Sequence, residues 1–196
     1  MAKETMKKEK KRCFWVDGAE KNMIEYHDKE WGKPVHNDRQ HFEFLILEAA
    51  QAGLSWRTIL NKREGYRKAF SDFDPKKVAK YSVAKIEKLM LNPAIIRNRL
   101  KITATVNNAK RFLEVQKEFG SFDKYCWQFV GGKPITNKNR TRADFRATSR
   151  ESDLFSKDLK KRGFKFVGST VIYAHMQAVG MVNDHLVDCF RYRQVK

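Results

Sequence analysis

The sequence predicts an all-α fold, a compact two-lobed helical bundle. Apolar residues recur mainly at spacings of three and four, no run alternates in the β manner, and helix start and stop signals are frequent. Helices are expected at about 20–31, 38–52, 56–70, 75–81, 83–91, 95–119, 122–130, 150–162 and 170–180. Asp74 before Pro75 is an N-cap followed by a first-turn proline, and Ser82 and Ser121 are further N-cap candidates. Gly120, Gly163 and Gly180 stand where helices end in a left-handed residue. Residues 131–149 lack a helical period and carry Lys133, Lys138, Arg140, Arg142 and Arg146, so they are expected as a long loop of functional character.

The chain has 196 residues, 41% hydrophobic and 12% aromatic, enough for one substantial core. Forty-one Lys and Arg against 23 Asp and Glu give a net charge of +18, which favours a polyanionic partner, with nucleic acid the first suspect. No apolar run approaches the roughly 20 residues needed to span a bilayer, and MAKETMKKEKKR lacks the apolar centre of a signal peptide. The expectation is a cytoplasmic protein without a membrane partner, monomeric, with residues 1–12 as a basic tail and 191–196 as a C-terminal tail. Three cysteines, Cys13, Cys126 and Cys189, favour thiol, metal-ligand or core roles over disulfides.

Residues 150–180 read as a helix, the six-residue link GFKFVG, and a second helix opened by Ser169 and Thr170, a helix-hairpin-helix pattern. Gly163 ends the first helix, and Gly168 permits close backbone approach to a ligand. The amides at the second helix start face an anion, and Lys160, Lys161, Arg162 and Lys165 surround that point with positive charge. The same segment also fits a plain structural turn. Phe164, Phe166 and Val167 are expected to face the core.

In FLILEAAQAGLSW, residues 44–56, Glu48 is the only ionisable group, and an unpaired carboxylate there is costly to desolvate. It is either a buried side chain tied to an amide or an arginine, or the carboxylate of a pocket for a cationic or amino-bearing ligand. Trp15, Tyr26, Trp31 and Trp56 are the aromatics able to wall such a pocket, and each alone is equally a core residue.

Cys13, His27, His185 and Cys189 compose a two-cysteine, two-histidine set suited to tetrahedral Zn²⁺, with His185 and Cys189 at helical i, i+4 spacing. Cys13 and His27 form no recognised finger, so spacing alone leaves this open. His36, His41, His175 and Cys126 read as solvated, capping or core residues. Asp184 and Asp188 flank His185 and are expected to orient it or cap a helix.

Taken together, RCFW, YHDKEWGKP, LEAAQAGLSWRTIL, FDPKKVA, NPAIIRNRLKI, FSKDLKKRGFKFVG and VNDHLVDC resemble the bacterial 3-methyladenine DNA glycosylase I family of the helix-hairpin-helix superfamily. The resemblance runs from Cys13 to about Cys189. It implies one glycosylase domain over 13–190 that acts on double-stranded DNA containing alkylated bases. It implies that Glu48 contacts the excised base, that Trp15, Tyr26 and Trp56 enclose it, and that Trp31 supports the pocket. It implies a structural zinc on Cys13, His27, His185 and Cys189, and a turn at Gly53 and Leu54 that enters the base stack. Lys161, Gly163, Lys165, Gly168, Ser169 and Thr170 would hold the backbone. Met23 stands where relatives often carry an aromatic residue, and Phe155 where leucine is more usual.

Methylation at N3 makes adenine cationic and a good leaving group, so the implied reaction is capture of a flipped base by π-faces and an ionised Glu48 while water attacks the sugar. The expected product is an intact strand with an abasic site. No Schiff-base lysine is expected. Two alternatives are a non-catalytic damage-binding or architectural DNA protein and a zinc-stabilised RNA-binding protein.

Overall fold

The computed structural model describes residues 10–195. Among them nine α-helices follow in order: α1 Lys21–Lys29, α2 Asp38–Gln51, α3 Trp56–Ala69, α4 Pro75–Val78, α5 Val83–Met90, α6 Arg99–Phe119, α7 Phe122–Trp127, α8 Arg150–Lys161 and α9 Ser169–Ala178. Each lies within an expected segment, apart from α9, which starts one residue early. Side chains of Asn37, Ser55, Asp74, Ser82, Asn98, Ser121 and Ser149 accept amide hydrogen bonds at helix starts. The main boundary shift is in α6, expected from 95. Asn98 takes the cap by accepting from the Lys101 amide at 3.1 Å, and Asn92 turns the preceding chain by accepting from the Ala94 amide.

Helix α2 forms the centre. Residues 41–50 are all buried, because α3, α6, α7 and α9 cover it on several sides. A helix apolar nearly all round is a buried one, and this gives α2 its composition. The buried apolar residues form one continuous cluster that reaches from Cys13 to Cys189. Gly180 closes α9 at φ +69°, and a Cβ there would lie 2.2 Å from the Lys33 carbonyl carbon. Only glycine lets the end of α9 meet the segment before α2, where the Val35 amide donates to the Val179 carbonyl at 3.0 Å.

Three expectations need correction. The fold is not purely helical: Ile135–Thr136 (β1) pairs in parallel with Val182–Asn183 (β2). This short pairing anchors the loop 131–149, whose backbone amides would otherwise lack partners along the body of the protein. Residues 191–195 are no free tail. Val195 is buried, and the Asn183 side-chain amide donates to the carbonyls of Tyr192 and Val195. At the other end, Lys10 of the expected basic tail stacks over Phe190, and Lys11 and Arg12 are held by Asp188 and Asp28; residues 1–9 of that tail lie outside the described residues.

Candidate active site

A cavity of about 350 Å³ opens beside α2. Glu48 projects into it from α2, Met23 and Tyr26 from α1, Trp15 from the short turn before α1, Trp31 from just after α1, and Trp56 from the first residue of α3. The five residues singled out from sequence thus meet in one place. Trp15 and Trp31 cross edge to face at 5.0 Å between ring centroids, and Tyr26 lies 5.2 Å from Trp56. Such crossed rings wedge one another in place and leave a slot between apolar walls. The sequence reading missed Phe14, Phe145, Gln51, Ala174 and Gln177. Phe145 closes the rim from the loop 131–149, crossing Phe14 at 5.1 Å, and Arg142 stacks over Phe14. A lone Phe in a basic loop without periodicity gives no signal of that role.

The charge in this cavity contrasts with that of a second glutamate on the same helix. Glu43 is also buried, but Arg63 Nε donates to it at 2.8 Å and Arg67 at 2.9 Å, so its charge is matched. Glu48 has neither a hydrogen-bond nor an ion-pair partner among the described residues, and burial alone pushes its carboxyl up to about 8. The expected ionised Glu48 is the carboxylate facing a cationic base; with no counter-charge beside it, burial favours the protonated form. A buried carboxyl without partners, facing a slot of π-surfaces, suits a flat cation with hydrogen-bond donors on its edge.

Behind the aromatic wall lie Cys13, His27, His185 and Cys189, all buried, with their ligand atoms within 4.8 Å of one another. His27 Nε2 is 3.5 Å from Cys189 Sγ, and His185 Nδ1 is 3.5 Å from both sulfurs. Zn–S and Zn–N bonds of about 2.3 and 2.1 Å at tetrahedral angles give S···N edges of about 3.6 Å, which these three S···N distances match. The outer nitrogens are committed as metal-binding imidazoles require: His27 Nδ1 to Asp28 at 2.8 Å, His185 Nε2 to the Trp31 carbonyl at 3.0 Å. The expected helical spacing is wrong, since residues 184–189 are irregular and turn structure. The expectation for the aspartates also fails: Asp184 accepts from Asn137, Asn139, Tyr173 and Gln177, while Asp188 pairs with Lys11. Trp15 meets His27 at 5.2 Å and Trp31 meets His185 at 4.6 Å, so the cluster is also the backing of the pocket wall.

On the surface next to the pocket, Gly53 adopts φ +78° and Leu54 is 41% exposed. Lys101 fixes this turn by donating to the carbonyls of Ala50 and Ala52, both at 2.7 Å, thereby satisfying the orphan end of α2. Leu54 and Thr170 line one cleft of about 160 Å³ together with Glu48. The turn and the start of α9 therefore share a face.

The link between α8 and α9 is itself tied down. The Asn108 side chain accepts from the Lys165 amide at 2.8 Å and donates to the Lys165 carbonyl at 2.9 Å, and Asn107 donates to the Gly163 carbonyl. Gly163 is left-handed at φ +85°. Gly168 is the N-cap of α9, and a Cβ there would meet nothing within 4 Å, so the chain itself does not demand glycine at that point. Ser169 Oγ pairs with Ser152 Oγ at 2.8 Å. Lys160, Lys161 and Lys165 are exposed, whereas Arg162 is spent on Glu118 and Asp158 and packs over Phe119 and Tyr125. Phe164 and Val167 are buried as expected, but Phe166 is 36% exposed at φ +56°, because the tight link turns it outward.

Comparison with known proteins agrees with this geometry. The family model for methyladenine glycosylase matches residues 15–192. A DNA-3-methyladenine glycosylase of Haemophilus influenzae is 48% identical over 178 residues, covering 91% of this chain and 96% of that protein. DNA-3-methyladenine glycosylase 1 of Escherichia coli is 45% identical over 92% of this chain and 96% of its own length. A crystal structure of 3-methyladenine DNA glycosylase I superposes with a TM-score of 0.89 at 44% identity, over 92% of this chain and 98% of that one. A variant of such an enzyme in complex with 3-methyladenine superposes with a TM-score of 0.88 at 37% identity, over 91% and 96% of the two chains. With the match extending over nearly the whole fold and the pocket, the chain belongs to the methyladenine glycosylase family.

Proposed function

We propose that this chain works in DNA base-excision repair as a monofunctional glycosylase, hydrolysing the N-glycosidic bond of 3-methyladenine in alkylated DNA and leaving an abasic site. The observation that carries this reading is Glu48, buried and unpartnered in an aromatic slot on a strongly basic protein. N3-methylated adenine brings a fixed positive charge and an exocyclic amino group. Glu48 accepts from the amino group and is held ionised by the ring's charge, while Trp15, Tyr26 and Trp56 embrace its faces and Trp31 supports them. The leaving group needs no proton, so Glu48 recognises the base and a water molecule attacks the sugar through an oxocarbenium-like state.

The helix-hairpin-helix reading of α8 and α9 is supported by the left-handed Gly163, the open approach at Gly168 and the exposed Lys161 and Lys165. Amides at Ser169 and Thr170 take a phosphate there. Gly53 and Leu54, on the same face, fill the gap left in the stack by the flipped nucleotide. Zn²⁺ on Cys13, His27, His185 and Cys189 is structural: four protein donors leave no open position, and the metal braces Trp15 and Trp31. Among the described residues no helix is long and apolar enough to cross a membrane; we place the enzyme in the cytoplasm as a monomer acting on double-stranded DNA.

Chromatography of the bases released from methylated DNA tests the function. Free 3-methyladenine with an uncut strand is expected. Retention of the base, with DNA binding intact, would favour a non-catalytic damage-binding protein.

A further inference from the structure

A second set of metal-binding side chains lies at the opposite end of α2, outside the pocket and the first cysteine–histidine cluster. Helix α7 presents Asp123 and Cys126 at i, i+3 spacing on one side, and α2 presents His41 against them. The ligand atoms of these three lie within 4.8 Å of one another. His36, in the segment before α2, adds a fourth donor: its Nδ1 is 3.1 Å from Asp123 Oδ1. We propose that His36, His41, Asp123 and Cys126 form a second zinc site, which locks the start of α7 to the start of α2.

Among His41, Asp123 and Cys126 the distances are those of a tetrahedron's edges, and His36 reaches the set through Asp123. Zn–N, Zn–O and Zn–S bonds of about 2.1, 2.0 and 2.3 Å imply N···O edges of about 3.3 Å and N···S edges of about 3.6 Å. The structure has 3.2 Å from His41 Nε2 to Asp123 Oδ1 and 3.7 Å from His41 Nε2 to Cys126 Sγ. His41 Nδ1 is 3.8 Å from the same sulfur, so the sulfur lies nearly equidistant from the two ring nitrogens.

The donors are held in advance. Asp38 accepts from the Phe122 and Asp123 amides, both at 2.9 Å, and so fixes the first turn of α7 against α2. His36 stacks on Trp127 at 4.7 Å, which orients its imidazole. Asp123 and His36 are partly exposed, giving the ion a path in, whereas His41 and Cys126 are fully buried, giving it a dry inner wall. One thiolate and one carboxylate balance the charge of Zn²⁺, and on binding the Cys126 proton leaves to solvent as the Zn–S bond forms.

An independent observation points to the same place. His175 is fully buried, its ring lies 5.8 Å from that of His41, and neither of its nitrogens has a hydrogen-bond partner among the described residues. A buried polar group without a partner calls for an explanation, and an ion beside it is one.

The test is metal content after saturation with zinc and exhaustive dialysis. Wild-type protein is expected to hold about two zinc ions per chain, and Cys126→Val, close in shape, about one. Cys189→Ala reports on the first cluster, and the loss caused by C126V is expected whether or not that cluster holds metal. His36 is exposed, so His36→Ala keeps the fold; it is expected to weaken binding of the second equivalent at least tenfold in a Co²⁺ titration followed by its d–d absorption. Equal zinc content in wild type and C126V, or a second Co²⁺ equivalent bound equally well by H36A, would overturn the site.

Discussion

Glu48→Gln should make the enzyme worse and remove a loss of stability that grows with pH, and the two effects can be read separately. In the native chain burial carries the carboxyl from its ordinary value of 4.5 to about 8. Unfolding restores the ordinary value, so the unfolded state sheds the proton first as pH rises. The stability present below about 4.5 is thus progressively lost up to about 8. One pH unit of mismatch is worth about 1.4 kcal/mol, so the loss is roughly 1 kcal/mol at pH 5.5 and about 4 kcal/mol at pH 8. Glutamine does not titrate. Whatever its amide gains or loses by packing, that contribution is the same at both pH values. The melting gap between E48Q and wild type should therefore shift in favour of E48Q by about 3 kcal/mol between pH 5.5 and 8, or about 6–12 °C for a chain of this size. Thermal melts of both proteins at matched ionic strength measure it. Excision of 3-methyladenine should meanwhile fall roughly 10-fold to 1000-fold, the cost of one charged contact in a dry site. A gap independent of pH would show that Glu48 is not desolvated as its surroundings require, and an undiminished excision rate would remove it from recognition.

Three further outcomes are expected. Because a cationic base must find Glu48 ionised, kcat/KM should rise with pH toward about 8 and then level off, while E48Q shows no such rise; a flat wild-type profile speaks against the charge pairing. Cys189→Ala should lose about one zinc per chain and melt well below wild type, since the cluster ties residues near both ends of the fold; an unchanged melt counts against a structural metal. Lys161→Ala or Lys165→Ala should weaken DNA binding alike on different sequences and lower the salt slope by about one, whereas altered sequence preference would contradict a backbone-only contact.

Much of this molecule was legible because its signals are local. Caps such as Asp74–Pro75 and Ser121 mark helix starts by their own hydrogen-bonding needs, and the apolar run around Glu48 states that something unusual is buried there. Other features are set across the chain. The pairing of Ile135 with Val182 depends on where two distant segments pass, and Phe145 becomes a pocket wall only through its contact with Phe14. Arg162 looked like a phosphate ligand among lysines, but Glu118 lies 44 residues away and claims it. His41, Asp123 and Cys126 gave no pattern at all, because α2 and α7 meet only in the folded chain.

The raised carboxyl of Glu48 bears on selectivity as well as stability. An enzyme that scans DNA meets undamaged adenine far more often than methylated adenine, and both have the same shape except for one methyl group, a difference worth only about 1–3 kcal/mol to an apolar pocket. In the proposed mechanism charge offers a second criterion. Neutral adenine entering the slot gives Glu48 no counter-charge, so the carboxyl stays protonated and the walls supply only stacking. A cationic base lowers the cost of ionising Glu48 and gains a carboxylate, beside π-faces that also prefer positive charge. An arginine beside Glu48, like Arg63 beside Glu43, would stabilise the fold but keep the carboxylate ionised for every base that arrived. Leaving Glu48 without a partner makes its ionisation depend on the ligand, and the desolvation that costs the fold stability is also what lets the pocket favour a charged base.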